Sequence, residues 1–297
     1  MAATPEKTCL TTPDGSAPPD SNLDSDVLQQ FHQLQTRYQR TTNALASAAH
    51  DLKTPLAILN GYVEVLRSEK LGPLNERQRQ VLHDMHSSGK RLQDFIQDFL
   101  SFSSLETGEM KMRFEKGDLN KCLSEVCQLW SNNFQDKGLA LYFLPNEKVS
   151  EFAFDSPKVQ RVVSNLLDNA SKYTPSGGTV WLHAEPHMWE RRAEKAAGVP
   201  QERRRQSTFH PNSVKVSVSD TGPGIPAEYH MEVFDDFFRL AQNENQSGMG
   251  LGLAIARKLV AGMGGKIWVE STAGAGSKFS FVIPLKPPAV TTNKGKK

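Results

Sequence analysis

Within five consecutive positions, His50-Asp51-Leu52-Lys53-Thr54, an imidazole, a carboxylate, an ammonium and a hydroxyl stand just ahead of Pro55 on an otherwise helical stretch. An exposed helix histidine is the plain reading of His50 taken alone, and a chemical centre is the sharper one. Three other clusters carry chemistry of a different kind. In "SNLLDNASKYT", Asn165, Asn169 and Lys172 fall at i, i+4 and i+7 and share one stripe of a helix. That stripe is either a solvated face or a place where neutral amides meet magnesium and an ammonium meets phosphate. In "SDTGPGIP", a strand of alternating valines runs into Asp220, with Gly222 and Gly224 just beyond. The arrangement fits a tight turn with an aspartate cap, and equally an acceptor for the exocyclic amine of a purine beside a backbone that lets a ligand approach. In "SGMGLGLAIARKLV", Gly248, Gly250 and Gly252 precede an amphipathic helix and offer bare N–H groups at its positive end to phosphates. No strand precedes that turn and no Gly-Lys-Ser/Thr closes it, so neither the dinucleotide fingerprint nor the P-loop applies.

The elements needed to position these clusters follow from periodicity. Apolar positions at Val27, Phe31, Leu34, Tyr38, Leu45, Ala48 and Leu52, with polar Thr41 in step, predict a long helix with a heptad seam. A break follows at "EKLGPL", and a second seam at Val81, Met85, Ser88, Leu92, Phe95, Phe99 and Phe102 completes a helical hairpin. One hairpin covers too little apolar surface alone, so two are expected to pair as a four-helix bundle in a homodimer. Pro55 lacks the N–H owed to the carbonyl of Asp51, which predicts a kink at that point. Beyond residue 107 the pattern changes. Asp118 starts a helix to about residue 136, residues 139–144 read as a strand, and Ser156-Pro157 reads as a helix start with the serine as N-cap. Alternation at 179–185, 213–219, 266–270 and 278–283 then predicts an α/β domain with helices over a mostly antiparallel sheet.

Composition excludes several classes. A net charge of +2 gives no global basis for nucleic acid, and no run is apolar and long enough to span a membrane. Cys9, Cys122 and Cys127 lack metal-ligand spacing, and an odd count without a signal peptide points to a reducing, cytoplasmic setting with inert thiols. Residues 1–22 are expected to be a disordered tail, 23–107 the hairpin, 108–286 the α/β domain and 287–297 a basic tail. An insertion at 186–212 is rich in arginine, and its readings are a solvated excursion or a dock for an acidic partner.

In order along the chain, "HDLKTPL", "NLLDNASKYT", "DTGPGIP", "FDDFFR" and "GMGLGL" resemble the boxes of the sensor histidine kinases, whose ATP-binding fold is shared with gyrase. The resemblance covers residues 23–285. It implies an ATP-dependent protein-histidine kinase of a two-component system. It further implies a dimerising hairpin followed by an α/β sandwich, with ATP and Mg²⁺ as cofactors and a response-regulator receiver domain as partner. It also implies roles: His50 as phosphoacceptor, Asp51 as the base that orients it, and Thr54 as a positioner of water for hydrolysis of the phosphorylated regulator. Asn169 corresponds to the magnesium ligand, with Asn165 beside it and Lys172 toward the phosphates. Tyr173 matches the aromatic against adenine, Asp220 the residue bound to its amino group, and Gly222 and Gly224 the turn beneath. Gly248, Gly250 and Gly252 match the phosphate-side glycines, with Arg239 reaching the terminal phosphates. Two departures stand out. Only a short polar tail precedes the phosphoacceptor helix where the family usually carries a sensor, so a separate sensor protein on 23–38 or a trimmed kinase core is expected. The lid "LAQNENQS" has no basic residue, which predicts modest activity. A nucleotide-binding scaffold without transfer and a net phosphatase are the rival functions.

Overall fold

The computed structural model describes residues 21–107, 110–189, 211–240 and 248–287. The expectations for the N-terminal tail up to residue 20, for residues 190–210 of the insertion, for residues 241–247 of the lid and for the basic tail from residue 288 lie outside the described residues. By contacts the chain forms two units, residues 1–45 and 46–297.

Helix α1 spans Ser21–Arg67, and within the first unit it leaves Phe31, Leu34, Tyr38 and Leu45 exposed. The helix continues past Pro55, whose missing N–H removes one hydrogen bond from its ladder without ending it. In the second unit, Glu69 and Gly72 take positive φ at 55° and 132° and turn the chain into α2, Glu76–Glu106. Asn75 and Gln78 close a capping box at its start. The stripe that closes the hairpin differs from the expected seam. Ala49 and Leu56 on α1 are buried with Ile96 on α2, against which Phe99 of the expected seam also packs, and Val63 and Leu82 are buried too; Phe102 of that seam is buried in the core of the α/β layer, whereas Leu52, Val81, Met85, Leu92 and Phe95 stay exposed. Both stripes are apolar, and a hairpin of two helices can close on only one of them.

The remainder is an α/β layer: β1 (Glu115–Gly117), α3 (Leu119–Asp136), β2 (Ala140–Leu144), β3 (Phe152–Phe154), α4 (Ser156–Tyr173), β4 (Thr179–His187), β5 (Ser213–Asp220), α5 (Gly252–Gly262), β6 (Lys266–Ser271) and β7 (Ser277–Pro284). Five strands run in the order β2-β4-β5-β7-β6; β2 is parallel to β4 and every other neighbour is antiparallel. Alternation places Val180, Leu182, Ala184, Val214, Val216, Val218, Phe279, Phe281 and Ile283 in one core, where the apolar stripe of α4, Val159, Val162, Val163, Leu166 and Ala170, also lies. Each such valine, leucine, isoleucine or phenylalanine contributes about 1.5–3 kcal/mol on burial. That packing fixes which way the opposite, polar stripe of α4 points.

Two local expectations are corrected. The N-cap of α4 is Asp155, one residue before the expected Ser156: its carboxylate accepts from the N–H of Lys158 and from that of Arg113 at 2.7 Å. A carboxylate with two oxygens serves a cap and a distant backbone donor together, which a hydroxyl cannot do so readily. The two-stranded antiparallel sheet of β1 and β3 was not foreseen, because three-residue strands are too short to show a period.

Candidate active site

The polar stripe of α4, the end of β5 and the glycine turn before α5 surround an open cavity of about 130 Å³. Of the residues singled out in the sequence, Asn165, Asn169, Lys172, Tyr173, Asp220, Gly224, Arg239, Gly248, Gly250 and Gly252 line it. Gly222 is not among the lining residues; its N–H instead donates to Asp220 Oδ1 at 2.8 Å. A Cβ there would meet that same oxygen at 2.7 Å, so glycine lets the backbone hold the carboxylate in place.

Asp220 sits where β5 ends. Burial pushes its carboxyl above the usual range, while the backbone N–H groups of Gly222 and Ser277 pull it down. A partly desolvated acceptor of this kind gains most from a neutral N–H donor. Gly224 has φ 71°, and a Cβ would lie 2.0 Å from the carbonyl oxygen of Thr272, so the turn after Asp220 is pressed against the β6–β7 connection. At the other side, Gly250 has φ 75° and packs on the backbone of Phe237 and Phe238. Asn165 is buried and donates from Nδ2 to the carbonyl of Gly252 at 2.8 Å, which ties α4 to the first turn of α5. Its role in the geometry is thus to hold the glycine turn. Lys172 Nζ is 2.5 Å from Asp168 Oδ2, and a Cβ on Gly248 would stand 3.4 Å from that ammonium.

Two acidic lining residues escaped the sequence reading. Asp168 precedes Lys172 by four positions, a helical ion-pair spacing that was there to be seen. Asp98 comes from α2 and pairs with Arg161 of α4, 63 positions away, and no local pattern announces it. Burial raises the Asp98 carboxyl and Arg161 pulls it down. Further along α2, Phe102 meets the ring of Phe237 edge-on at 5.8 Å, and Lys258 stands 4.4 Å over the Phe102 ring while pairing with Glu106.

His50, Asp51 and Thr54 lie outside the cavity, on α1. His50 Nδ1 is 3.8 Å from Asp51 Oδ1, with the two side chains 75% and 81% exposed. Ala49 and Leu56 pack on Ile96, Phe99 and Leu100, so the turn of α1 bearing His50 runs beside the turn of α2 bearing Asp98. Burial raises the Cys122 thiol and pushes that of Cys127 up to about 11; Cys9 lies outside the described residues. Among the described residues, no helix is long and apolar enough to cross a membrane.

Comparison with known proteins adds three findings. Residues 154–287 match the family of histidine kinase-, DNA gyrase B- and HSP90-like ATPases, and residues 40–108 match the His Kinase A (phospho-acceptor) domain. The adaptive-response sensory kinase SasA of Synechococcus sp. (strain JA-2-3B'a(2-13)) is 31% identical over 259 residues, 86% of this chain and 63% of its own length. The Non-motile and phage-resistance protein of Caulobacter vibrioides is 33% identical over 245 residues, 82% of this chain and 27% of its own. The chain therefore spans less than two thirds of either relative. Among solved structures, full-length ShkA in complex with AMPPNP aligns with a TM-score of 0.62 and 26% identity, over 83% of this chain and 46% of that one.

Proposed function

Because this chain belongs to the histidine kinase family, with a phospho-acceptor domain ahead of an ATPase domain, we propose that it phosphorylates its own His50 from ATP and passes the phosphoryl group to an aspartate of a response-regulator receiver domain. In this reading residues 23–107 are the dimerising phosphotransfer hairpin and 108–286 the catalytic domain. The observation that carries the reading is the cavity itself: amides and an ammonium from α4, the carboxylate at the end of β5 and the glycine turn before α5 converge on one space.

The lining fits a purine nucleotide. Asp220 accepts from the adenine amine, Tyr173 lies against the ring, and Gly224 keeps the turn clear of it. Gly248, Gly250 and Gly252 present N–H groups to the phosphates, with Lys172 and Arg239 supplying positive charge. Among the described residues no group of three or more His, Cys, Asp or Glu could hold a metal. A magnesium ion that keeps its waters and takes one amide oxygen, from Asn169, plus phosphate oxygens is consistent with that donor set. When bound it offsets phosphate charge.

At the acceptor, Asp51 on the Nδ1 side of His50 favours the tautomer with its proton on Nδ1 and leaves the Nε2 lone pair outward. Nε2 forms the bond to the γ-phosphorus, the bond to the bridging oxygen breaks with its electron pair going to ADP, and Asp51 takes up the Nδ1 proton. Transfer to the receiver breaks the phosphorus–nitrogen bond as the carboxylate attacks. Thr54, one turn further along α1, positions water for the reverse task on a phosphorylated regulator. The exposed apolar stripe of Leu52, Val81, Met85, Leu92 and Phe95 supports a homodimer through the hairpin.

Incubation with γ-labelled ATP and Mg²⁺ tests the reading. The expected product carries acid-labile, alkali-stable label that is lost in His50→Gln. A folded chain that binds ATP yet takes up no label rejects the kinase and leaves a nucleotide-binding scaffold.

A further inference from the structure

Arg161 stands on α4 one turn before Asn165 and two before Asn169, on the same stripe. Its guanidinium pairs with Asp98 of α2, and its buried Nε has no hydrogen-bond partner. A planar fork made for bidentate contact is thus only partly used, and a buried donor is left unpaired. Asp98 lines the cavity, whereas Arg161 does not, so the carboxylate screens the guanidinium from that space. Among the described lining residues only Asp98 comes from α2; the remainder lie between 165 and 279.

Resting on the reading of the cavity as a nucleotide site, we propose that Arg161 is a further phosphate-binding residue of that site, masked by Asp98 until an incoming polyphosphate displaces the carboxylate. The charges favour the exchange. Asp98 shares its surroundings with Asp94 and Asp168, whose negative charges oppose its own, and burial disfavours its ionised form. A triphosphate offers the guanidinium more oxygens and more charge than one crowded carboxylate. Because binding free energies are reciprocal, the nucleotide loosens α2 from α4 by the same factor by which docked α2 weakens the nucleotide. Lys258 with Glu106, and Phe102 with Phe237, hold the far end of α2 while this pair opens. Occupancy of the cavity and freedom of the ATPase layer on the hairpin are thereby linked through one ion pair.

Titrations on the full chain test this, with ATP plus Mg²⁺ as one probe and adenosine as the other, on the unmodified protein, Asp98→Asn and Arg161→Gln. Removing the screening charge is expected to tighten ATP about tenfold, within the usual range of coupling between sites, and to leave adenosine unchanged. Arg161→Gln breaks the same pair but removes the phosphate ligand, so it is expected to bind ATP no more tightly than the unmodified chain. Melting curves establish that each variant is folded, and Asp98→Ser replaces the asparagine variant should that one fail. Unchanged or weaker ATP binding in a folded Asp98 variant overturns the proposal, as does equal tightening in Arg161→Gln. An unmodified chain that binds neither probe overturns the nucleotide reading itself, which is a distinguishable result.

Discussion

Replacing Gly250 by alanine separates the two demands that a glycine turn makes on its sequence. The residue adopts φ 75°, and a Cβ built there would stand 2.5 Å from the carbonyl oxygen of Phe238 and 2.8 Å from the carbonyl carbon of Phe237. The left-handed backbone costs an L-residue about 1–2 kcal/mol. Pushing aside a neighbouring main chain adds roughly 1–3 kcal/mol, because backbone cannot rotate away as a flexible side chain can. The expected loss is therefore about 2–5 kcal/mol. For a folded unit of this size that amounts to a fall in melting temperature of roughly 5–15 °C. Gly177→Ala is the matched control: its φ is 84°, but nothing lies within 4 Å of the added methyl, so about 1–2 kcal/mol is expected. Thermal unfolding followed by circular dichroism gives both numbers, and titration with ATP gives the functional consequence. Gly250→Ala is expected to weaken ATP as well, since Phe238, Arg239 and Leu240 line the same cavity and must shift, while Gly177→Ala leaves binding untouched. Equal destabilisation by the two substitutions would refute the close-approach argument, and a stable Gly250→Ala with normal ATP binding would refute the placement of the turn.

Two further outcomes are expected. Asp155→Ala removes the cap of α4 and the acceptor for the Arg113 N–H; about 1–3 kcal/mol of stability should be lost in chemical denaturation, with Asp155→Asn retaining part of it. Asp220 has a folded carboxyl raised above its ordinary value of 3.8, so the folded state binds the proton more tightly, and this residue lowers stability as pH rises through that window. Asp220→Asn is accordingly expected to melt higher than the unmodified chain at neutral pH and to lose that advantage below about pH 4, while failing to bind ATP; a variant less stable at neutral pH would contradict the buried-carboxylate argument.

Local order along the chain determined a good deal of this protein. Helix periodicity announced α1 and α2, alternation announced β4, β5, β6 and β7, and the boxes around His50, Asn169, Asp220 and Gly250 were legible because each is a short run whose residue types act within one or two turns. What depends on a period longer than the element was lost, as with the three-residue β1 and β3, or displaced by one residue, as with the cap at Asp155. The tertiary structure alone decided which apolar residues close the hairpin, Ala49 and Leu56 with Ile96 while Leu52, Leu92 and Phe95 stay exposed, since each helix offers more than one apolar stripe and only packing chooses between them. It alone brought Asp98 to Arg161 and into a cavity built from the other half of the chain. Ion pairs and cavities depend on distances in space, and a separation of 63 positions leaves no periodic trace for a sequence to carry.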